Sequence, residues 1–200
     1  MSVLLATGEL LIEDTSLMLR VKEVDDHQAF EMLVRRHRKA IVNFIFRMVQ
    51  NQPVAEELAQ DVFLRVYEVR HGYIASARFS TWLYTLATNH TLKWIRDNRK
   101  RNGHLSLDAP AANGMQRQIP DGCAGIDARL VKESEQRRVR SALAQLPARQ
   151  RAVVVMHKYE NRRYEEIAAA LGTTVPAIKS LAFRAYHQLR ASIDGANEAA

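Results

Sequence analysis

Phe30, Leu33, Val34, His37, Ile41, Phe44, Ile45 and Met48 recur at i, i+3, i+4, i+7, i+11, i+14, i+15 and i+18. Only an α-helix gathers such positions on one face, so this stripe predicts a long amphipathic helix that begins at His27, capped by Asp26. Arg35, Arg36, Arg38, Lys39 and Arg47 lie mostly off the stripe. Asn51-Gln52-Pro53 reads as a turn with Pro53 in the first turn of a second helix, about 53–70, which buries Leu58, Val62 and Val66 and ends at Gly72. Ser80 or Thr81 caps a third helix running to about Arg101, with Trp82, Leu83, Leu86 and Ala87 inward. Period two is never sustained long enough for a strand. The fold class is therefore all-α.

The helical pattern stops at about residue 102 and resumes near 133. The stretch 102–134 holds half of the eight glycines, with Pro110 and Pro120, and shows no apolar period. About 33 residues is too long for an ordinary loop inside a compact domain, so it reads as a flexible linker. Extended, it reaches at most roughly 110 Å. As a random coil it averages nearer 30 Å. Two small helical domains follow from this, 15–101 and 135–192, with an N-terminal extension at 1–14 and a tail at 193–200. In the second domain a helix covers about 133–145. Pro147 opens another with Val153, Val154 and Met156 apolar, and a short helix runs from Tyr164 to Leu171. A last helix, about 175–192, turns Ile178, Ala182, Ala185 and Leu189 inward.

Charge follows the same division. Residues 25–101 carry thirteen basic and eight acidic side chains, net +5, and residues 135–192 carry eleven and four, net +7. The linker stretch carries three and four, net −1, and the whole chain is +7. Two basic blocks suggest a polyanionic partner. No apolar window approaches eighteen residues, so no membrane insertion is expected. Acidic residues interrupt the apolar N-terminus, which argues against a secretory signal. Cys123 is the single cysteine and fits a reducing, cytoplasmic setting. The seven histidines have no metal-ligand spacing, and His37 on its apolar stripe reads as a packed residue. No nucleophile elbow, phosphate-binding glycine loop or framed acid–base pair is present, so neither catalytic residues, metal nor cofactor are expected.

Tyr164-Glu165-Glu166-Ile167-Ala168-Ala169-Ala170-Leu171-Gly172, followed by Thr174 and Ile178, has helix-turn-helix spacing. Ala168 is small where two helices must approach. Gly172 supplies a left-handed turn, and Thr174 caps the second helix. A helix presented in this way fits the major groove with its first turns over base edges.

In order along the chain stand Ala29-Phe30-Glu31 with Leu33 and Arg35-Arg36-His37, then the run Ala55-Glu56-Glu57-Leu58-Ala59-Gln60-Asp61-Val62-Phe63-Leu64-Arg65-Val66-Tyr67. Phe79-Ser80-Thr81-Trp82-Leu83, Ala87, Asn89 and a basic end at Arg96, Arg99, Lys100 and Arg101 follow. Leu146-Pro147, Arg149-Gln150-Arg151, Tyr164-Glu165-Glu166-Ile167-Ala168 and Lys179-Ser180 complete the series. In motif, order and spacing the chain resembles the extracytoplasmic-function (ECF) sigma factors of bacterial RNA polymerase over both blocks, about 15–101 and 130–192. The resemblance implies a non-enzymatic subunit that binds core polymerase, directs it to specific promoters and helps open the DNA. It also implies control by an anti-sigma factor and a monomeric free state. The first domain would bind core enzyme and open and read the −10 element, and the second would read the −35 element.

Candidate sites follow. Glu57, Gln60, Asp61 and Leu64 share a helical face offset from the buried one. That face suits a basic partner helix, which by the resemblance is on the largest core subunit. For the −10 element the candidates are Tyr73, Phe79, Ser80, Asn89, Lys93, Arg96 and Arg99. Aromatics beside cations can stack splayed bases, whereas Trp82 reads as core. For the −35 element they are Arg151, Thr174, Pro176, Ala177, Lys179, Ser180 and Arg184. The chain departs from the family at Leu181, where arginine is frequent, and at Phe183, Tyr186 and Gln188, where basic residues are. The rival reading is a free-standing helix-turn-helix regulator that binds duplex DNA as a dimer without polymerase.

Overall fold

The structure, a computed structural model, describes residues 13–76, 78–102 and 126–198, with side chains outside 102, 126–135 and 194–198. Residues 103–125 of the expected tether, Cys123 among them, and most of the N-terminal extension lie outside the described residues. Those residues form eight α-helices and a short 3₁₀ turn, Arg70–Gly72. They are α1 (Asp14–Val24), α2 (His27–Val49), α3 (Gln52–Glu68), α4 (Phe79–Asn102), α5 (Ile126–Gln145), α6 (Ala148–Lys158), α7 (Tyr164–Ala170) and α8 (Val175–Glu198).

The helix boundaries follow from local chemistry. Asp26 caps α2, its carboxylate accepting from the Ala29 amide at 3.0 Å. Asn51 caps α3 in the same way, accepting from the Val54 amide at 3.1 Å. Asp25 and Gln50 take left-handed backbone conformations that turn the chain between α1, α2 and α3. α4 begins at Phe79 rather than after a Ser80 or Thr81 cap, since the Thr81 and Trp82 amides both donate to the Arg78 carbonyl.

α1 has no counterpart in the sequence reading. It buries Leu17, Met18 and Val21 against α2, and Asp14 holds Arg36 at 2.9 Å and His37 at 2.7 Å. His37 also meets the Phe79 ring edge-on at 5.4 Å, which makes it a packed residue.

α2 is the hub. It buries Leu33, Ile41, Phe44, Ile45 and Met48, and it touches α1, α3, α4, α5 and α6. Five of those residues belong to the predicted stripe. The stripe is wide enough to serve both halves of the chain, so the two helical domains pack on one another. One apolar cluster runs unbroken from Leu17 through Met156 and Ile167 to Ala182. α4 packs on α7, and α2 and α4 pack on α6. α5 starts at Ile126, inside the stretch read as linker.

Arg151 ties the halves together. It was expected to contact DNA, but it is 9% exposed. Its guanidinium donates to the carbonyls of Met48 on α2, Ala144 at 2.5 Å and Leu146 at 3.1 Å. A buried guanidinium is tolerated because these carbonyls accept from both of its terminal nitrogens, although its Nε has no partner among the described residues. Burial nevertheless lowers its pKa from the ordinary arginine value, and nearby Arg99 adds to the effect.

Three substitutions test this local structure. Arg151→Met keeps the apolar stem and orphans the carbonyls, so urea unfolding should show a loss of about 2–3 kcal/mol. Gly172 sits at φ +59 with open space around an added Cβ. Gly172→Ala should therefore cost only backbone strain, about 1–2 kcal/mol. Gly72→Ala, also in open space but without that φ, should change stability by no more than about 0.5 kcal/mol.

Candidate polymerase and nucleic-acid interfaces

On α3 the predicted face is exposed. Glu57, Gln60 and Leu64 face solvent, and Leu64 is 63% exposed although Leu58 and Val62 on the opposite face are buried. Asp61 is partly exposed and lies 3.3 Å from Nε2 of His90 on α4. Two carboxylates, an amide and an uncovered leucine thus form one stripe, a surface that can pair with cations and bury one apolar contact.

The −10 candidates divide into three groups. Tyr73 and Phe79 are each 1% exposed. Their rings pack against each other and against Trp82 at centroid distances of 6.3, 5.1 and 6.1 Å. Lys22 donates to the Tyr73 carbonyl at 2.7 Å. These two aromatics anchor the segment that leads into α4 and present no open face to a base, which corrects their assignment as stacking platforms. Trp82, read as core, is only partly buried. Asn89, Lys93, Arg96 and Arg99 are exposed as expected. They follow i, i+4, i+7 and i+10 on α4 and line an open cleft together with Lys100 and with Arg149 of α6. Arg149 and Lys100 extend the candidate cation row beyond the predicted set. Arg149 joins it only because α6 packs beside α4.

Ser80 is partly buried and already engaged, for its hydroxyl accepts from Arg162 at 3.0 Å. Next to it the Thr81 hydroxyl donates to Glu166 at 2.8 Å, and one turn on the Tyr84 hydroxyl donates to Glu160. Burial raises the pKa of the Tyr84 phenol, and the Glu160 carboxylate adds to the shift. Burial alone would raise the Glu166 carboxyl, but the Arg163 amide, the Thr81 hydroxyl and Arg162 together hold it below its ordinary value. Glu166 also accepts from the Arg163 amide at 3.0 Å, so it caps α7. Sequence reasoning missed this cluster, since Glu160 and Arg162 look like ordinary solvated charges.

α7, the Gly172 turn and α8 form the expected helix-turn-helix. The Thr173 amide closes the turn on the Ala168 carbonyl at 2.9 Å. Ile178, Ala182 and Ala185 face inward as predicted, and Leu189 is half-buried. Thr174, Pro176, Lys179, Ser180 and Arg184 are exposed and Ala177 is half-exposed. The first turns of α8 are therefore open to a groove. Arg184 donates to the Ser180 hydroxyl at 3.0 Å, which preorients its guanidinium along the helix. Leu181 packs on the core, whereas Phe183 is 72% exposed. Among the described residues no group of three or more His, Cys, Asp or Glu side chains could hold a metal. No described helix is long and apolar enough to cross a membrane.

Comparison with known proteins places this geometry. Residues 33–101 match the family described as Sigma-70 region 2, and residues 136–189 match Sigma-70, region 4. RNA polymerase sigma factor CarQ of Myxococcus xanthus is 35% identical over 162 residues, 81% of this chain and 87% of that protein. ECF RNA polymerase sigma factor SigW of Bacillus subtilis is 29% identical over 86% of this chain and 93% of its own length. Among solved structures, CnrH in complex with the cytosolic domain of CnrY shares the fold with a TM-score of 0.66. It is 22% identical, over 91% of this chain and 97% of that one. Sigma factor RpoE in complex with the anti-sigma factor NepR from Bartonella quintana gives a TM-score of 0.64 at 20% identity, over 82% of this chain and 96% of that one. The match over 33–101 is a domain that a free-standing helix-turn-helix regulator would not need, and nothing in the comparisons favours that alternative. Two sigma regions in sequence order, with a 35% identical relative spanning most of the chain, show that it belongs to the ECF sigma factors of RNA polymerase, a family of non-catalytic transcription initiation factors.

Proposed function

We propose that this chain docks on core RNA polymerase through the α3 stripe of Glu57, Gln60, Asp61 and Leu64. Asn89, Lys93, Arg96 and Arg99 on α4 then contact the opened −10 element. The first turns of α8, with Thr174, Pro176, Ala177, Lys179, Ser180 and Arg184, read the −35 duplex. The observation that carries this reading is the exposure of these three sets on three different helices, while the apolar residues between them are buried. A cation row suits a flexible single strand, whose phosphates it can follow. The N-terminal turns of a helix after a tight Gly turn suit an intact major groove. Anti-sigma factors are named in complex with a protein of this fold, and we infer that this chain too is held inactive by such a partner.

Reconstitution with core polymerase tests the function directly: the complex should initiate at specific promoters that core enzyme alone ignores. Asp61→Lys reverses the charge of the α3 stripe and ends the pairing with His90. It should weaken co-purification with core enzyme while circular dichroism remains helical, and unchanged co-purification would remove α3 as the docking face.

The two DNA sites should separate by DNA state. Lys179→Ala or Arg184→Ala should reduce recruitment to duplex promoters and leave initiation on a premelted template near normal. Asn89→Ala should do the reverse, impairing opening more than initial binding. Permanganate reactivity on both templates reports the difference. Equal failure of all three variants on the premelted template would refute the division between α4 and α8.

A further inference from the structure

The cation row of α4 forms one wall of a cleft, and α6 supplies the other. Asn89, Lys93, Arg96, Arg99 and Lys100 of α4 face Arg149 of α6 around an open volume of about 720 Å³. Along α4 the row from Asn89 to Lys100 rises about 16 Å. The floor is apolar: Leu92, Ile95 and Ala148 reach it, and Leu92 and Ile95 pack on the core. Asp97 is paired with Arg96 at 3.4 Å. Among the described residues Lys93, Arg99 and Lys100 meet no carboxylate. Like charge is felt across the seam, where burial and, after it, Arg99 lower the pKa of Arg151. The start of α6 adds to the field. Ala148 and Arg149 are its first two residues and no side chain caps it, so the positive end of its dipole lies at the same cleft.

We propose that this cleft binds a compact polyphosphate anion, of the class of a nucleoside triphosphate or a short inorganic polyphosphate. Cations gathered without counter-charges repel one another, and a multivalent anion relieves several of them at once. Guanidinium groups offer paired N–H donors to phosphate oxygens, and the Asn89 amide adds a neutral donor. The volume lies within the range of small-ligand sites. The second wall is the distinguishing feature. A single DNA strand can follow the α4 row alone, whereas Arg149 closes on a ligand that sits between the helices. The apolar floor offers a dry surface to one face of a nucleobase, which favours a nucleotide over the inorganic chain. On the reading of α4 given above, the anion and the −10 strand use the same cations. The two therefore exclude one another, and the anion acts as a small-molecule competitor of promoter opening.

The test uses the full chain and titration calorimetry at about 0.1 M salt, where charges more than about 10 Å apart are screened. Adenosine triphosphate and inorganic tripolyphosphate, each without magnesium, should bind one to one, the nucleotide more tightly. The reverse order would make the inorganic chain the ligand of the same site. Inorganic phosphate, too short to span the row, should bind about tenfold more weakly than either. Arg149→Ala removes the second wall and leaves the α4 row intact. It should cost about tenfold in affinity for both probes, the loss expected for one charge-assisted contact. Its other contact is a single 3.3 Å hydrogen bond to the Leu171 carbonyl, so circular dichroism should remain helical. Arg99→Ala gives the same readout from the α4 wall. Lys179→Ala removes an equal charge from α8, outside the cleft, and should leave both affinities unchanged. No saturable binding of either probe at millimolar concentration, or equal losses in Arg149→Ala and Lys179→Ala, would overturn the site. Displacement of a labelled oligothymidylate by tripolyphosphate is scored separately. If the probes bind with the Arg149 dependence and the oligonucleotide is not displaced, the −10 assignment of α4 fails and the polyphosphate site stands.

Discussion

The middle of α6 is buried all round, and the rest of the structure depends on that. Arg151, Ala152, Val153, Val154, Val155 and Met156 are six consecutive residues, all buried. Consecutive residues on a helix point about 100° apart, so a run this long cannot share one face. Val153, Val155 and Met156 belong to the cluster built on α2 and α4. Val154 turns to Leu143, Leu146 and Ala185 on the other side. Each such side chain contributes about 1.5–3 kcal/mol by leaving water. No single partner helix could collect that gain. α6 therefore requires the first half of the chain on one side and α5 with α8 on the other.

Two seams of different character result. The seam at α6 is apolar, and Arg151 closes it with hydrogen bonds to carbonyls on both sides. The seam at the α6–α7 corner is polar, built from Glu160, Arg162 and Glu166 against Ser80, Thr81 and Tyr84. An apolar seam gains from water exclusion wherever it forms, whereas a polar one exchanges its partners for water at little net cost. The exposed face of the first turns of α8 is not used by either seam. The packed arrangement covers the start of α4 and leaves the first turns of α8 in solvent.

Much of the site was legible because exposed faces keep the helical period. The α3 stripe and the α4 cation row were read from spacing, and the structure shows them uncovered. Tyr73 and Phe79 were misplaced for a specific reason: an aromatic can serve as a base platform or as an anchor, and composition alone does not say which. Lys22 and Trp82, distant or ambiguous in sequence, decide that they are anchors. Arg151 failed similarly, because an arginine beside other arginines looks solvated until its acceptors are seen. The apolar run after it did carry a signal, since a helix apolar on every side is a helix packed on every side.

The sequence by itself determined the all-α class, the ends of α2 and α3 through Asp26 and Asn51, the turn at Gly172, and the residues that α3 and α8 show to solvent. These rest on short-range physics: helical period, side-chain capping within three residues, and glycine's access to left-handed backbone. It missed α1, whose short apolar patch is legible only against α2. It also did not reveal that the two helical domains pack on each other. Where the two helical bodies meet is set by the buried stretch of α6 together with hydrogen bonds between groups more than seventy residues apart in the chain, as with Arg151 and Met48 or Thr81 and Glu166. Such pairs leave no periodic trace, because a hydrogen bond depends on where two groups meet in space rather than on their spacing along the backbone.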